Sequence, residues 1–269
     1  MERAREFDEM PLAKAEADEV MLDAMLKTAH QRFDSALKRI RRPLVEVGIA
    51  TTPLGPLLIG QSTRGLLLVR FLDTPDTTAL LANLKGRFDL SENAAMAATI
   101  GAEIEHLCQG EVAAVSARPV DLSLIATPFQ RRALTYLRKV PAGAVTTYQA
   151  LAAASGSPSA QRAIGNTVAA NPIPIYVPCH RVIKSDGSIG NYGGGVARKL
   201  KLLHAEGFSI ARGDRVPASA VYGHTVTRIF CRPTCPAGRR ARIERMLIFP
   251  DIEKAAAAGM RPCKVCHPA

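Results

Sequence analysis

The sequence predicts an α+β protein that carries a small zinc domain near its C-terminal end. Short apolar runs separated by turn residues predict β-strands between Leu44 and Phe71. Helical periodicity with recognisable caps replaces them after Thr127, and two close pairs of cysteines follow. We therefore expect five segments: a helical extension (1–42), a small α/β subdomain (43–121), a helix-turn-helix domain (122–211), a linker (212–224) and a zinc-binding domain (225–269).

Composition and cysteine usage restrict the class of protein. The 269 residues are 47% hydrophobic, enough for packed cores. No apolar run approaches the roughly 20 residues of a membrane span, and residues 1–9 lack the cationic and then apolar layout of a signal peptide. We therefore expect a protein of the cytoplasm with no membrane partner, and separately we expect it to be a monomer. In that reducing compartment, six cysteines indicate thiolate or metal chemistry rather than disulfides.

The positive charge is concentrated in the second half of the chain. The whole chain has a formal net charge of +11. Residues 122–212 contain eleven bases and two acids, hence +9, and residues 213–269 contain ten bases and four acids, hence +6. Residues 1–121 contribute the remaining −4. Such an asymmetry is typical of a half that binds a polyanion.

The N-terminal part contains one helical and one strand-rich stretch. Apolar residues recur near the 3.6-residue period over 8–42 until Pro43 interrupts them, which predicts a helix. This helix carries no candidate chemistry, and docking, oligomerisation and a partly ordered extension remain open. Beyond it, we predict strands over 44–50, 56–60 and 65–71 and an alanine-rich helix over 94–109.

Three helices are predicted between residues 127 and 170. The first begins with Thr127 as N-cap and Pro128 in the first turn. Two shorter helices, Thr146–Ala152 and Ala160–Ala170, flank a glycine-containing turn, a pattern that fits a helix-turn-helix or an ordinary helical hairpin. The charge of +9 on this segment favours the helix-turn-helix and DNA binding.

A candidate nucleophile stands in the motif Pro178-Cys179-His180-Arg181. Prolines at positions 172, 174 and 178 hold the preceding backbone extended. The cationic neighbours of Cys179 favour the thiolate, which is the nucleophilic form of cysteine. The alternative is a buried cysteine that packs as a small hydrophobic residue.

Six motifs in one order resemble the O6-alkylguanine-DNA alkyltransferase family, from about residue 45 to 208. They are Thr147-Tyr148-Gln149-Ala150-Leu151-Ala152, Arg162-Ala163-Ile164-Gly165, Ala170-Asn171-Pro172, Ile175-Tyr176-Val177-Pro178-Cys179-His180-Arg181-Val182, Gly190-Asn191-Tyr192-Gly193-Gly194-Gly195 and Leu202-Leu203-His204-Ala205-Glu206-Gly207. The resemblance implies a single-turnover methyltransferase. Its partner is double-stranded alkylated DNA, and its substrates are O6-alkylguanine and possibly O4-alkylthymine.

The resemblance implies a catalytic role for five residues. Cys179 accepts the alkyl group, and His180 takes the thiol proton through a bridging water. A carboxylate that holds the other imidazole nitrogen fixes the tautomer, and Glu206 matches that position. Asn171 connects the end of the recognition helix to the active-site turn, and Tyr148 protonates or hydrogen-bonds the departing guanine.

The resemblance also implies a DNA-binding group. The target base must leave the stack to be reached, and Arg162 matches the arginine that fills the vacated space from the minor groove. Tyr192 and Gly193 match the loop that lines the base pocket, where family members often carry a hydroxyl or a larger residue in place of Gly193. We assign Arg181 to this DNA-binding group as well.

The C-terminal cysteines form a zinc signature. Cys231-x3-Cys235 and Cys263-x2-Cys266 are separated by 27 residues, a pattern typical of four-cysteine zinc sites. The flanking residues resemble the metal domain of the adaptive-response DNA methyltransferases. That resemblance implies that Cys231 accepts a methyl group from a DNA phosphotriester as well as binding zinc. In the usual order this domain comes first and a gene-activating module follows it, so we do not expect the familiar activator role.

Two other functions fit parts of the sequence. One is a non-catalytic protein that binds damaged bases, but such relatives lack the acceptor cysteine. The other is a methylation-sensing regulator in which the zinc domain is purely structural or switches the affinity for DNA.

Overall fold

The computed structural model describes residues 21, 23–33, 42–73, 77–239 and 242–268. Helix α1 covers residues 23–33, and the remainder of the helix predicted over 8–42 lies outside the described residues, apart from Met21 and Arg42. Within the described part of the chain, no helix combines the length and the apolar character that crossing a bilayer requires. The α+β class is confirmed.

A four-stranded sheet forms the N-terminal subdomain. Its elements are β1 (Leu44–Thr52), β2 (Gly55–Ser62), β3 (Gly65–Phe71), α2 (Thr77–Arg87), β4 (Asp89–Glu92), α3 (Ala94–Cys108) and α4 (Ala113–Ala117). The strand order is β3-β2-β1-β4, with β4 parallel to β1 and the other pairs antiparallel. The three predicted strands and the predicted α3 are present, whereas β4, a short polar edge strand, was not predicted.

The close packing of α3 on this sheet has a local cause in the sequence. A Cβ at Gly48 would lie 2.7 Å from the Asn93 carbonyl oxygen and 2.7 Å from the Ala97 Cβ, so only glycine fits there. The Asn93 side chain accepts a hydrogen bond from the Met96 amide and caps the helix. Apolar residues on one face of α3 are then buried against β1.

The central part is mainly helical. Its elements are α5 (Pro128–Leu137), β5 (Thr146–Thr147), α6 (Tyr148–Ala154), α7 (Gln161–Ala169), β6 (Val182–Ile183) and α8 (Val196–Ala205). The Thr127 hydroxyl accepts from the Gln130 amide and the Thr147 hydroxyl accepts from the Ala150 amide, so both helix starts follow from N-capping. Helices α6 and α7 pack on each other and on α5, as a helix-turn-helix requires.

The C-terminal part contains a second sheet. Its elements are β7 (Val221–His224), β8 (Ile229–Cys231), α9 (Pro236–Arg239), β9 (Met246–Phe249), α10 (Ile252–Ala257) and β10 (Arg261–Pro262), in the strand order β10-β8-β7-β9. The cysteine spacing did not predict this sheet. Strand β7 lies inside the segment that was expected to be a linker.

The second sheet is joined to the helical part by main-chain hydrogen bonds. The Val145 amide donates to the Ile248 carbonyl (2.9 Å), and the Ile248 amide donates to the Val145 carbonyl (2.8 Å). Both side chains belong to one buried cluster, and the Tyr136 hydroxyl donates to the Glu244 carbonyl. The C-terminal sheet therefore shares a core with the helices and is not tethered by a loose linker.

Candidate active site and metal centre

The turn that carries Cys179 is held by the amide of Asn171. The Asn171 Nδ2 atom donates to the Val177 carbonyl (2.8 Å) and to the Cys179 sulfur (3.2 Å), while its Oδ1 accepts from the Ile173 amide (3.1 Å). Asn171 follows directly after helix α7 and its C-cap. It therefore connects the end of the second helix of the helix-turn-helix to the sulfur.

The Cys179 thiol is buried and protonated at rest. Its residue is only 5% exposed. Burial raises the pKa of the thiol, and the Asn171 hydrogen bond and the Lys199 charge oppose that rise without cancelling it. A base is therefore required to produce the thiolate.

His180, the next residue in the chain, forms a buried network with Glu206. The His180 Nε2 atom lies 2.8 Å from the Glu206 Oε1 atom, and both side chains are almost fully buried. Burial lowers the pKa of His180, so the imidazole is neutral near pH 7 despite the opposing effect of the carboxylate. With Nε2 bound to Glu206, Nδ1 is the ring nitrogen left to accept a proton, and it has no partner among the described residues.

The partners of Glu206 keep its carboxyl group ionised. Burial alone would raise its pKa, but His180 and Arg181 outweigh burial and hold the pKa at about 2. The Arg181 Nε atom donates to Oε2 (2.8 Å) and an Arg181 terminal nitrogen donates to Oε1 (2.6 Å). Glu206 is therefore ionised and able to stabilise an imidazolium on His180.

Acid is expected to destabilise the fold through Glu206. Its folded pKa of about 2 lies below the ordinary value of 4.5, so the contribution is present above pH 4.5 and is lost as the pH falls towards 2. The difference corresponds to about 3 kcal/mol. Urea unfolding of the native protein and of Glu206→Gln should show that their free energies of unfolding converge by this amount between pH 5 and pH 2. A difference between the two free energies of unfolding that does not change with pH would contradict this expectation.

Arg181 occupies a different position from the one expected. It was assigned to DNA, but its residue is 5% exposed. Besides Glu206, it donates to the Val140 carbonyl (2.5 Å). Three of its five N–H donors are bound to a buried carboxylate and a carbonyl, and burial keeps the guanidinium away from a phosphate at the surface. The structure therefore supports a positioning role for Arg181.

Lys199 is a buried cation that the sequence analysis did not identify. It is 0% exposed and its Nζ atom donates to the carbonyls of Val182 (2.6 Å) and Ile189. Burial lowers its pKa to about 8, and Cys179 opposes that fall. The sequence did contain a signal for this burial. Lys199 stands three and four positions before the buried Leu202 and Leu203, and such positions share one face of a helix.

The wall of the pocket above Cys179 is formed by a loop and by the N-terminal subdomain. A cavity of about 40 Å³ is lined by Cys179, Asn171, Tyr192 and residues of β3. The Tyr192 ring meets the Phe71 ring edge-on, with centroids 6.5 Å apart. A Cβ at Gly194 would lie 2.5 Å from the Phe71 ring, so glycine is required there. Phe71 lies more than 100 residues from Cys179 in the sequence. No local motif predicted its place in the pocket wall.

Of the remaining predicted site residues, Gly193 lines this pocket and Tyr148 interacts electrostatically with Cys179. Tyr148 is partly buried, and burial raises the pKa of its phenol, with a further contribution from Cys179, so the hydroxyl stays protonated. Gly193 is exposed, with only the Ala169 carbonyl oxygen 4.0 Å from a built Cβ. Arg162 is exposed on α7. Val168 and Ala169 of α7 line the pocket, so it opens beside the second helix of the helix-turn-helix.

The four C-terminal cysteines form a metal centre. Strand β8 ends at Cys231 and Cys263 follows β10, where the Cys263 amide donates to the Phe230 carbonyl (3.0 Å). The ligand atoms of Cys231, Cys235, Cys263 and Cys266 all lie within 4.8 Å of one another. Four thiolates at this separation fit a tetrahedral zinc ion with Zn–S bonds of about 2.3 Å. The predicted zinc site is confirmed.

Two family models match adjacent parts of the chain. Residues 128–208 match the DNA binding domain of 6-O-methylguanine DNA methyltransferase. Residues 209–269 match the metal binding domain of Ada. Together they cover the second half of the chain.

The similar proteins and solved structures are also methyltransferases of this kind or Ada proteins. The methylated-DNA–protein-cysteine methyltransferase of Cricetulus griseus is 38% identical over 192 residues, which are 66% of this chain and 88% of the relative. The bifunctional transcriptional activator/DNA repair enzyme Ada of Escherichia coli is 33% identical over 166 residues, 60% of this chain but only 45% of the relative. The crystal structure of Mycobacterium tuberculosis O6-methylguanine methyltransferase is 30% identical with a TM-score of 0.50, covering 60% of this chain and 92% of that one. The chain therefore belongs to the methylated-DNA–protein-cysteine methyltransferase family and ends in a metal-binding domain of the Ada type.

Proposed function

We propose that this protein is a DNA repair methyltransferase that moves an alkyl group irreversibly from O6-alkylguanine in duplex DNA to Cys179. The observation that carries this proposal is the placement of the Cys179 sulfur. The sulfur lies at a small pocket and accepts a hydrogen bond from Asn171 Nδ2 at 3.2 Å. In the next residue, His180, the Nε2 atom lies 2.8 Å from Glu206 Oε1. A nucleophile, a base and an orienting carboxylate in this order support group transfer. The experiment is peptide mapping after incubation with an O6-methylguanine duplex, in which Cys179 should carry the methyl group.

The transfer proceeds as a displacement at saturated carbon. The Cys179 thiol proton passes to the free Nδ1 of His180, by way of a bridging water. The sulfur then forms a bond to the alkyl carbon as the bond between that carbon and O6 breaks. The electron pair remains on the guanine, which is stabilised by a hydrogen bond or a proton from the Tyr148 hydroxyl. Glu206 offsets the positive charge on His180. Because a thioether is a poor leaving group, each molecule reacts once.

The exposed face of α7 is suited to a duplex from which the base has been rotated. Beyond Gln161 and Arg162, the exposed side chains of α7 are short, including Ala163 and Ala169, which allow the helix to approach DNA closely. Arg162 extends from the second residue of α7 and can fill the space that the flipped nucleotide leaves. The protein acts as a monomer on alkylated DNA.

Replacing Arg162 with alanine should weaken repair in duplex DNA much more than transfer from the free base. We expect at least about a 10-fold loss of the duplex rate, because unstacking a base costs a few kcal/mol that the arginine offsets. Single-turnover rates with a methylated duplex and with free O6-methylguanine measure the difference. Arg132→Ala, which removes the same charge from the exposed surface of α5, is the control. Equal losses on both substrates would remove this role from Arg162.

We further propose that Cys231 accepts a methyl group from a DNA phosphotriester. Zinc, when bound, keeps the four sulfurs ionised and electron-rich. The sulfur of Cys231 is also approachable, because Gly238 leaves space beside it. A Cβ at Gly238 would lie 3.7 Å from that sulfur, and a cavity of about 290 Å³ opens at this point. The strongly basic C-terminal segment supports binding to the phosphate backbone.

Filling the space at Gly238 should block this second transfer. The space around the built Cβ permits alanine without a clash, whereas Gly238→Leu places a larger side chain in the path to Cys231. We expect at least about a 10-fold slower methylation of Cys231 by DNA that bears methyl phosphotriesters and no alkylated bases. Gly238→Ala is the matched control, and zinc content should remain the same in both. If Cys231 of the native protein stays unmodified, the zinc domain is structural and the second activity is excluded.

A further inference from the structure

We propose that His224 binds the phosphoryl oxygen of the methyl phosphotriester and aligns its methyl group with Cys231. This inference rests on the proposed transfer to Cys231 and adds a residue that recognises the substrate. It comes from a histidine in the C-terminal sheet that neither the zinc site nor the Cys179 chemistry uses.

The register of the sheet places His224 on the same face as Cys231. Tyr222 lies opposite Cys231, and His224 lies opposite Ile229 in the antiparallel pair of β7 and β8. Side chains alternate along a strand, so residues 222, 224, 229 and 231 share one face. The other face, with Val221 and Phe230, is buried in the core. The face that carries Cys231 and His224 is the one that can receive a ligand.

The orientation of the imidazole is fixed by its own turn. The His224 Nδ1 atom accepts from the Thr227 amide (3.1 Å) and lies 3.2 Å from the Thr227 hydroxyl. A nitrogen that accepts a backbone N–H carries no hydrogen, so the hydrogen of the neutral ring is on Nε2. No acceptor for Nε2 is present among the described residues. His224 therefore offers one directed donor.

The cavity combines an apolar space with the His224 donor and the sulfur, and the hydroxyl-bearing Tyr222 and Thr227 also line it. His224, Cys231 and Gly238 line it together with the apolar Ile229, Ala237 and Met246. Diagonal neighbours on one sheet face lie about 7–8 Å apart. A near-attack contact of about 3 Å, a phosphate group and a hydrogen bond of about 2.9 Å together cover that span. A neutral phosphotriester needs a place for its methyl group and a donor for its phosphoryl oxygen, and this cavity supplies both.

The step balances without any proton transfer at His224. A bond forms between the Cys231 sulfur and the methyl carbon, and the bond from that carbon to the ester oxygen breaks. The electron pair stays on the oxygen, which leaves a phosphodiester anion. The Nε2 hydrogen bond strengthens as negative charge develops on the phosphate, so it favours the transition state over the ground state.

The test compares two methyl donors in the full-length zinc-loaded protein. One is a duplex with a single methyl phosphotriester, and the other is methyl iodide, which has no phosphoryl oxygen. His224→Leu should slow methylation of Cys231 by the duplex at least about 10-fold and leave the rate with methyl iodide within about 2-fold. His224→Gln should keep most of the duplex rate because its amide nitrogen reaches the position of Nε2. His224→Asn should not, because its amide is too short.

Each outcome decides the matter. Equal losses with both donors would make His224 a structural residue only, and an unchanged duplex rate in His224→Leu would exclude the hydrogen bond. If His224→Leu loses zinc or its fold, the duplex methylation rates of His224→Gln and His224→Asn are compared instead. Equal rates in those two variants would overturn the proposed hydrogen bond from His224. A native protein whose Cys231 takes methyl from methyl iodide but not from the duplex would overturn the proposed second activity itself.

Discussion

Replacing Glu206 with glutamine is expected to slow alkyl transfer to Cys179 by about 10²- to 10⁴-fold. Glutamine can still accept a hydrogen bond from His180, but it has no charge to stabilise the imidazolium that forms when the thiol proton moves. The substitution also leaves Arg181 buried without its counter-ion, which costs roughly 3–5 kcal/mol of stability. Single-turnover transfer from an O6-methylguanine duplex, measured at a temperature where the variant is folded, gives the rate.

Two further variants serve as controls for the loss of charge at Glu206 and for the loss of a carboxylate elsewhere. Glu206→Asp keeps the negative charge and should retain more activity than Glu206→Gln. Asp186→Asn removes an exposed carboxylate that accepts hydrogen bonds from the Ser188 amide and hydroxyl and lies near the charges of Arg215 and Lys184. It should leave the rate unchanged. A folded Glu206→Gln protein that reacts within about 3-fold of the native rate would show that His180 needs no carboxylate.

Loss of the zinc site is expected to destabilise the Cys179 domain as well as the zinc domain. Val145 and Ile248 join the two parts through paired main-chain hydrogen bonds and one buried cluster. The Lys254 side chain of α10 also lies against Gly207, which follows Glu206 in the chain. Structural zinc contributes about 10–16 kcal/mol in zinc-finger peptides. We expect Cys235→Ser to cost about 5 kcal/mol, or roughly 10–20 °C in Tm.

Thermal unfolding and thermal loss of O6-methylguanine repair should therefore shift together in Cys235→Ser. Cys108→Ser, which changes a partly buried cysteine far from the metal ligands in sequence, should shift neither by more than a few degrees. Two separate transitions, with repair surviving at the higher one, would show that the domains are stable independently.

Local signals in the sequence predicted much of the fold around the site. The capping residue Thr127 marks the start of α5 correctly, because an N-cap is a contact between neighbours in the chain. The next helix was predicted from Thr146, but Thr146 and Thr147 form β5 and α6 begins at Tyr148. Cysteine spacing also predicted the metal site, since ligands with two or three residues between them converge on one ion. The link from Asn171 to Cys179 spans only eight residues.

The parts that sequence reasoning missed depend on contacts between distant segments. Phe71 reaches the pocket because β3 packs beside the Tyr192 loop. Arg181 is directed inward because Glu206 lies 25 residues further along the chain. Lys199 is buried because two carbonyls on other segments accept its hydrogens. A lysine or arginine on its own predicts an exposed charge, and only tertiary partners reverse that expectation.

The most direct test of irreversible transfer to Cys179 is a titration of the purified protein with a duplex that carries one O6-methylguanine and no phosphotriester. Intact mass and the remaining O6-methylguanine are followed together as the duplex is added in excess. We expect the protein to gain one methyl group, to consume one equivalent and then to stop, and Cys179→Ala to bind the duplex but gain nothing. Consumption that continues beyond one equivalent, or a methyl group that appears in Cys179→Ala, would contradict irreversible transfer to Cys179.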